Sequence, residues 1–307
     1  MEQINKPAIS VITITRNRAR LLPRAIKSVL NQSFKNLEYI IIDGASTDDT
    51  STVVKDFANK DHRIHYICQT ENINVVESIN QAFDVSSGDY IAFLDDDDEY
   101  LPEKLEKQID LIKTLSEEYG FVYCWTKVYD DKTGEVVSEN KSTDRGNAIM
   151  EVIEKPTLGG TPTFLFKREA FKKVGGWSTK IKMPSDWEMR ARAAELYYVD
   201  FVPEFLVKVH INHEYDRQSE QIINNSKQSV LNLIEFHEHF LNIFKKHFDN
   251  SPQKQMIHLL AIVKLNMMIG NITNALKYSF RIVRIDFQKI PKTTKMMLSG
   301  FIRFIRS

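Results

Sequence analysis

The chain is poor in cysteine and in long apolar runs, and its charges cancel. Two cysteines in 307 residues, Cys68 and Cys124, cannot build a disulfide framework or a cysteine-rich zinc site. Both lie in apolar stretches where a small buried thiol is expected, which points to a reducing compartment. No run approaches the roughly 18 apolar residues that a membrane-spanning helix needs. The opening MEQINKPAISVITITRNR has a polar start and a β-branched run too short for a signal core, with no small-residue cleavage site. The expectation is therefore a cytoplasmic protein, with room for peripheral attachment at the inner face of the cell membrane. Lys and Arg number 41 against 41 Asp and Glu, which speaks against a strongly basic nucleic-acid binder. His237 and His239 are two apart and lack the HExxH spacing, so no zinc site is read there.

What remains is ordinary globular usage, long enough for one large domain or two ordinary ones. Short β-rich runs alternate with helical patterns through the first 125 residues: Ile9 to Thr15 then Leu21 to Gln32, Leu37 to Ile42 then Thr50 to Lys60, Arg63 to Ile67 then Val75 to Val85, Tyr90 to Leu94 then Pro102 to Ser116. Runs such as Ile40-Ile41-Ile42 are apolar without alternation, as in strands covered on both faces, so an α/β fold with a mostly parallel central sheet follows. Ligands of such sheets bind beyond the carboxyl ends of the strands. Here those ends are Thr15-Arg16-Asn17, Asp43-Gly44-Ala45-Ser46 and Asp95-Asp96-Asp97-Asp98.

From about Phe121 to His210 the pattern loosens into short strands and helices. After Asp216 it becomes helical: Gln218 to Phe248, Gln253 to Ile269, Ile272 to Ile285 and a stretch from Thr293. This suggests a catalytic-type domain over 1–216 and a helical extension over 217–307. Residues 276–307 hold eight Lys and Arg against Asp286 alone, a net charge of +7. Aromatics and basic residues interleave there, which suits an anionic membrane surface as well as packing on the catalytic domain or on a second subunit in a homodimer. They form no strand platform for nucleic acid.

Four carboxylates in sequence after a buried strand repel one another and need a reason. Hard cations such as Mg²⁺ or Mn²⁺ take oxygen ligands, commonly one or two carboxylates plus substrate phosphates. The plain alternative is a helix N-terminus with Asp98 as cap and Pro102 in the first turn. A calcium loop is disfavoured, because its sixth position is Tyr100 rather than glycine and a strand precedes it.

VITITRN, IIDGASTDD and GDYIAFLDDDDEYLPEKLE resemble, in order and spacing, the family 2 glycosyltransferases of the GT-A fold, over about residues 7 to 210. The resemblance implies an inverting enzyme that moves a sugar from a nucleoside diphosphate sugar, with UDP as the expected nucleotide, to a saccharide or lipid-linked saccharide acceptor. It implies cell-surface polysaccharide synthesis and Mn²⁺ or Mg²⁺ as cofactor. By the same resemblance Ile14, Thr15 and Arg16 line the nucleotide base, and Asp43 accepts a hydrogen bond from it. Asp95 and Asp96 lie near the ribose, Asp97 is the direct metal ligand, and Asp95 is its neighbour in the metal site. Asp43 as an Asx-turn and Arg16 as a solvated cation are the plain alternatives. Asn74 stands where the family often has glycine; Glu77 and Asn80 either face the sugar or belong to a plain amphipathic helix.

Inverting transfer requires a carboxylate to take the acceptor hydroxyl's proton. Gly175-Gly176-Trp177 followed by Pro184-Ser185-Asp186-Trp187-Glu188 resembles the family's GGF…EDW segment and places the base on Asp186, with Glu188 as the fallback. Ser185 stands where the family has a second acid. Trp177 and Trp187 read equally as an acceptor platform or as core, and His210 and His213 follow the last strand, where relatives often hold a histidine near the diphosphate. Two other classes stay open: a non-catalytic sugar-nucleotide or protein-binding module on the same fold, and a nucleotidyltransferase, against which the absence of glycine in Thr15-Arg16-Asn17-Arg18 counts.

Overall fold

The computed structural model of the protein describes residues 6–181, 185–212 and 226–285. The first turn of sheet and helix is β1 (Ile9–Thr15), α1 (Leu22–Leu30), β2 (Leu37–Asp43), α2 (Thr50–Ala58), β3 (Ile64–Cys68), α3 (Val75–Val85) and β4 (Tyr90–Phe93). Then come β5 (Glu99–Tyr100), α4 (Lys104–Thr114), β6 (Tyr119–Asp130), β7 (Val136–Asn140), α5 (Ile149–Glu154), β8 (Leu165–Lys167), α6 (Arg168–Val174), α7 (Ser185–Leu196) and β9 (Tyr198–Ile211). All described strands form one sheet in the order β3-β2-β1-β4-β8-β6-β9-β5, with β7 beside β6. The β3-β2-β1-β4 half is parallel, and β8 enters it antiparallel to β4. β6 and β9 then run parallel.

The parallel half follows from its composition. Every residue of β2 is buried, as a strand covered on both faces requires. α1 buries Leu22, Ala25, Ile26 and Val29 at helical spacing, with Pro23 in its first turn, where no backbone N–H is missed. Each such side chain contributes roughly 1.5 to 3 kcal/mol. Gly88 lets β4 close on β1: a Cβ there would lie 2.5 Å from the Ser10 nitrogen. The Glu38 carboxylate fills this junction, accepting hydrogen bonds from the Ser10 hydroxyl at 2.6 Å and from the Ser87 and Gly88 amides at 2.6 and 3.2 Å. Burial raises its pKa, these donors outweigh burial, and the group ends below its usual range.

Three local readings change. The helix after the acidic run starts at Lys104, behind the inserted strand β5, so Asp98 is not its N-cap. Asn74, in the glycine position, is the N-cap of α3 and accepts from the Val76 amide at 2.8 Å. Cys68 is exposed at the end of β3, whereas Cys124 is buried as expected.

The chain forms two compact units: Met1–Val152 with Pro156–Lys180 and Ser185–Asp216, and Arg217–Ser307 with Ile153–Lys155 and Ile181–Pro184. In the second, α8 (Lys227–Ile243), α9 (Lys245–Asn250), α10 (Met256–Met268) and α11 (Ile272–Val283) are described. α10 packs on both α8 and α11, and Gly270, at φ +74°, makes the turn between α10 and α11. The expected helical stretches over 218–225 and from Thr293 lie outside the described residues. No helix among the described residues is long and apolar enough to cross a membrane.

Candidate active site

The carboxyl ends of β1, β2 and β4 meet at one rim, since Thr15 is in register with Asp43 and Ile12 with Phe93. Their loops brace one another. The Gly44 amide donates to the Thr15 carbonyl at 2.9 Å, Asn17 N to Ser46 Oγ at 2.8 Å, and Thr47 N to Asn17 Oδ1 at 2.8 Å. Asn17 and Ala45 hold left-handed backbones, at φ +54° and +56°, which for a non-glycine residue persists only where the surroundings enforce it.

Asp43 has no exposed surface. Its Oδ1 accepts from the Ser46 amide at 2.9 Å and its Oδ2 from the Tyr66 hydroxyl at 2.7 Å. The Asx-type turn is thus present, and Tyr66 covers the second oxygen. Burial, with the adjacent Asp43 carboxylate adding to it, raises the Tyr66 pKa far above its ordinary value.

The acidic run forms a tight turn, closed by Asp98 N to Asp95 O at 3.2 Å. Asp95 is exposed, Asp97 and Asp98 are buried, and Asp96 is largely covered. Burial raises the pKa of Asp96 to about 7, the neighbouring Asp97 charge adds to this, and Thr15, Arg18 and the Arg16 amide oppose it. Thr15 and Arg16 are therefore brought beside Asp96. Ile14 is half-buried at the end of β1. Asp98 Oδ1 accepts from the His210 amide at 3.0 Å. The His210 ring spans two carboxylates, Nδ1 to Asp131 Oδ1 at 2.6 Å and Nε2 to Glu99 Oε1 at 2.9 Å, and it stacks on Tyr129. The bond to His210 keeps Glu99 below its ordinary pKa.

Among the described residues no group of three or more His, Cys, Asp or Glu converges as a metal cage. Asp95 and Asp97 supply two hard oxygen donors, which fits Mg²⁺ or Mn²⁺ that completes its shell with water and substrate phosphates, not a cation enclosed by protein alone.

Of the two candidate bases, Glu188 is 2% exposed in its side chain, with both oxygens on Arg192, at 2.6 and 2.7 Å. Arg192 also donates to the Val174 carbonyl and, at 2.8 Å, to that of Gly176, so the pair pins α7 to the glycine turn. Asp186 differs: its side chain is 39% exposed and one oxygen, Oδ2, bonds Arg190 Nη2 at 2.9 Å. Arg190 is buried and reaches the Thr157 and Gly159 carbonyls. Trp177 packs against Phe93 and Phe171, and Trp187 donates from Nε1 to the Val152 carbonyl at 2.6 Å, so both tryptophans are core. Asn80 donates to the Trp177 carbonyl at 3.2 Å and belongs to this packing. His213 lies outside the described residues.

A polar stripe that runs along α1 and just past its end carried no motif in the sequence. Arg24, Ser28 and Gln32 follow at intervals of four and contact the acidic loop in order. Arg24 Nη2 donates to the Asp97 carbonyl at 2.6 Å, Ser28 Oγ accepts from the Tyr100 amide at 3.1 Å, and Gln32 bonds Leu101 O at 2.7 Å and Leu105 N at 3.1 Å. The signal was the fourfold spacing of hydrogen-bonding side chains beside the apolar face of α1.

Comparison with known proteins identifies the family and the fold. The sequence model of the family described as "Glycosyl transferase family 2" matches residues 10–175, more than half of the chain. An uncharacterized glycosyltransferase of Methanocaldococcus jannaschii is 29% identical over 81% of this chain and 84% of its own. A Campylobacter jejuni GalNAc(5)-diNAcBac-PP-undecaprenol beta-1,3-glucosyltransferase is 42% identical over 38% of this chain and 37% of its own. Among solved structures, S. aureus TarS 1-349 with UDP-GlcNAc superposes at TM-score 0.59 and 13% identity, covering 88% of each chain. The mannosyltransferase PcManGT of Pyrobaculum calidifontis with GDP-Man and Mn²⁺ does so at 0.60 and 16%, covering 96% of this chain and 84% of the other.

Proposed function

Because the chain belongs to glycosyltransferase family 2 and is a glycosyltransferase of the GT-A fold, we propose that it transfers a sugar from a UDP-linked donor, with inversion, to a saccharide or lipid-linked saccharide in cell-surface polysaccharide synthesis. The observation that carries this reading is the acidic turn at the rim, where Asp95 and Asp97 flank Asp96, the carboxylate that Thr15 and Arg16 adjoin. Bound there, Mn²⁺ or Mg²⁺ would offset the negative charge of the departing diphosphate. Similarity to structures holding UDP-GlcNAc and GDP-Man supports a nucleoside diphosphate sugar as donor. A relative named for undecaprenol-linked glucosyl transfer, and one named as a putative teichuronic acid biosynthesis glycosyltransferase of Bacillus subtilis, support the acceptor class.

In this reading Ile14, Thr15 and Arg16 border the base, and Asp96 and Asp95 approach the ribose. Asp43 takes the imide N–H of the base after the Tyr66 hydroxyl leaves Oδ2, since no other surface of the carboxylate is open. Asp186 receives the acceptor proton: Arg190 orients it through Oδ2, and among the described residues Oδ1 carries no hydrogen bond. Glu188 lacks that freedom. The basic segment 276–307 attaches the enzyme to the inner face of the cell membrane. Its described part leaves Phe280 67% and Val283 60% exposed among Lys277, Arg281 and Arg284.

The test is product formation from a panel of UDP- and GDP-sugars with Mn²⁺, using wild type and Asp186→Asn. Turnover in wild type and none in the variant, at unchanged nucleotide affinity, supports the reading. Equal turnover in both removes Asp186 from the chemistry.

A further inference from the structure

Arg24 joins more of the candidate site than any motif in the sequence announces. Its guanidinium donates from Nη2 to the carbonyl of Asp97 at 2.6 Å and from Nη1 to both oxygens of Asp131 at 3.1 and 3.3 Å, and its Nε lies 3.9 Å from Glu99 Oε1. Asp131 and Glu99 are the two carboxylates that hold the His210 ring, and the His210 amide holds Asp98. One planar cation on α1 thus ties the backbone of the acidic turn to the end of β6 and, through two carboxylates, to β9. Ser28 on the same helix and Gln32 just past its end fix Tyr100, Leu101 and Leu105, so the chain from 97 to 105 is held along its length.

We propose that Arg24 is a positioning residue for divalent-cation binding: by fixing the Asp97 carbonyl it sets where the Asp97 carboxylate points. The inference rests on the proposed reading of Asp97 as a metal ligand. A carbonyl bonded to a fork that is itself bonded to the Asp131 carboxylate is held with its peptide plane, which fixes the Cα from which the Asp97 carboxylate projects. Lysine keeps the charge but cannot make the two-sided contact. Removing a group that orients a metal ligand ordinarily lowers metal affinity about 10- to 100-fold.

The experiment is Mn²⁺ titration followed by electron paramagnetic resonance, with the full chain, Mn²⁺ alone and Mn²⁺ with UDP or GDP. Wild type, Arg24→Lys, Arg24→Gln and Asp97→Asn are compared, alongside calorimetric affinity for the same nucleotide in chelator. Arg24→Gln is expected to weaken Mn²⁺ binding at least about tenfold, with Arg24→Lys between it and wild type, while the metal-free nucleotide affinity stays within about twofold. A merely structural role would lower both affinities together, and that outcome overturns the proposal. So does wild-type Mn²⁺ affinity in both Arg24 variants, with Asp97→Asn impaired. If wild type binds no Mn²⁺ with either nucleotide, the metal reading falls and the inference falls with it.

Discussion

The second unit contains a histidine pair that makes its stability pH-dependent. His258 has no exposed surface, stacks on Phe240 with ring centroids 4.7 Å apart, and places Nε2 2.7 Å from the Ile153 carbonyl. A carbonyl only accepts, so Nε2 carries the proton and Nδ1 is a lone pair. That lone pair faces His237 Nδ1 at 3.0 Å, which must then be the donor. Protonating His258 would set two N–H groups against each other in an apolar setting. Burial accordingly pushes His258 down from 6.5 to about 4, and burial with the His258 ring beside it takes His237 to about 3. Between these values and 6.5 the unfolded chain binds protons that the folded chain refuses, so stability rises with pH in this window and falls on acidification. For His258 alone the loss between pH 7.5 and pH 5 is about 2 kcal/mol. The assay is urea unfolding by circular dichroism across that range for wild type and His258→Gln. Groups remote from the pair cancel in the difference, and His237 loses part of its own depression in the variant, so the difference should shrink by at least about 2 kcal/mol as pH falls. A difference independent of pH would refute the tautomer argument.

Other expectations follow from single contacts. Glu188→Gln should destabilise the protein by about 3 kcal/mol in chemical denaturation, because it leaves Arg192 partly buried without its charge partner. Gly88→Ala should lower the thermal midpoint, since its Cβ meets the Ser10 and Ile9 backbone at 2.5 and 2.7 Å and the β1-β4 junction would have to open. Tyr66→Phe should raise affinity for the base-bearing nucleotide in calorimetry, because it frees Asp43 Oδ2 for the ligand; an unchanged affinity would remove Asp43 from base recognition.

The sheet was legible because its central strands are buried on both faces: unbroken β-branched runs end where carboxylates and glycine begin, and β1 and α3 match their sequence limits. What escaped depends on pairings distant in sequence. Arg24 and Ser28 lie beside the apolar face of a short helix, and nothing local says that they meet a loop some seventy residues on. The cap at Asp98 failed because β5, two residues paired to β9, has no periodicity of its own. Asp186 ranked ahead of Glu188 by resemblance alone. Their separation rests on arginines four residues on, one of which takes both oxygens of its partner and the other only one. His210 stood out only by resemblance, and its place between Asp131 and Glu99 had no signal, since both ring partners come from other elements.

The most direct measurement is calorimetric titration of the protein with UDP and GDP, each with Mn²⁺ and with chelator, in wild type and Asp97→Asn. The account predicts that one diphosphate binds with Mn²⁺, that chelator removes most of that affinity, and that Asp97→Asn abolishes the metal effect. Equal binding with metal and with chelator, or in wild type and variant, would contradict it.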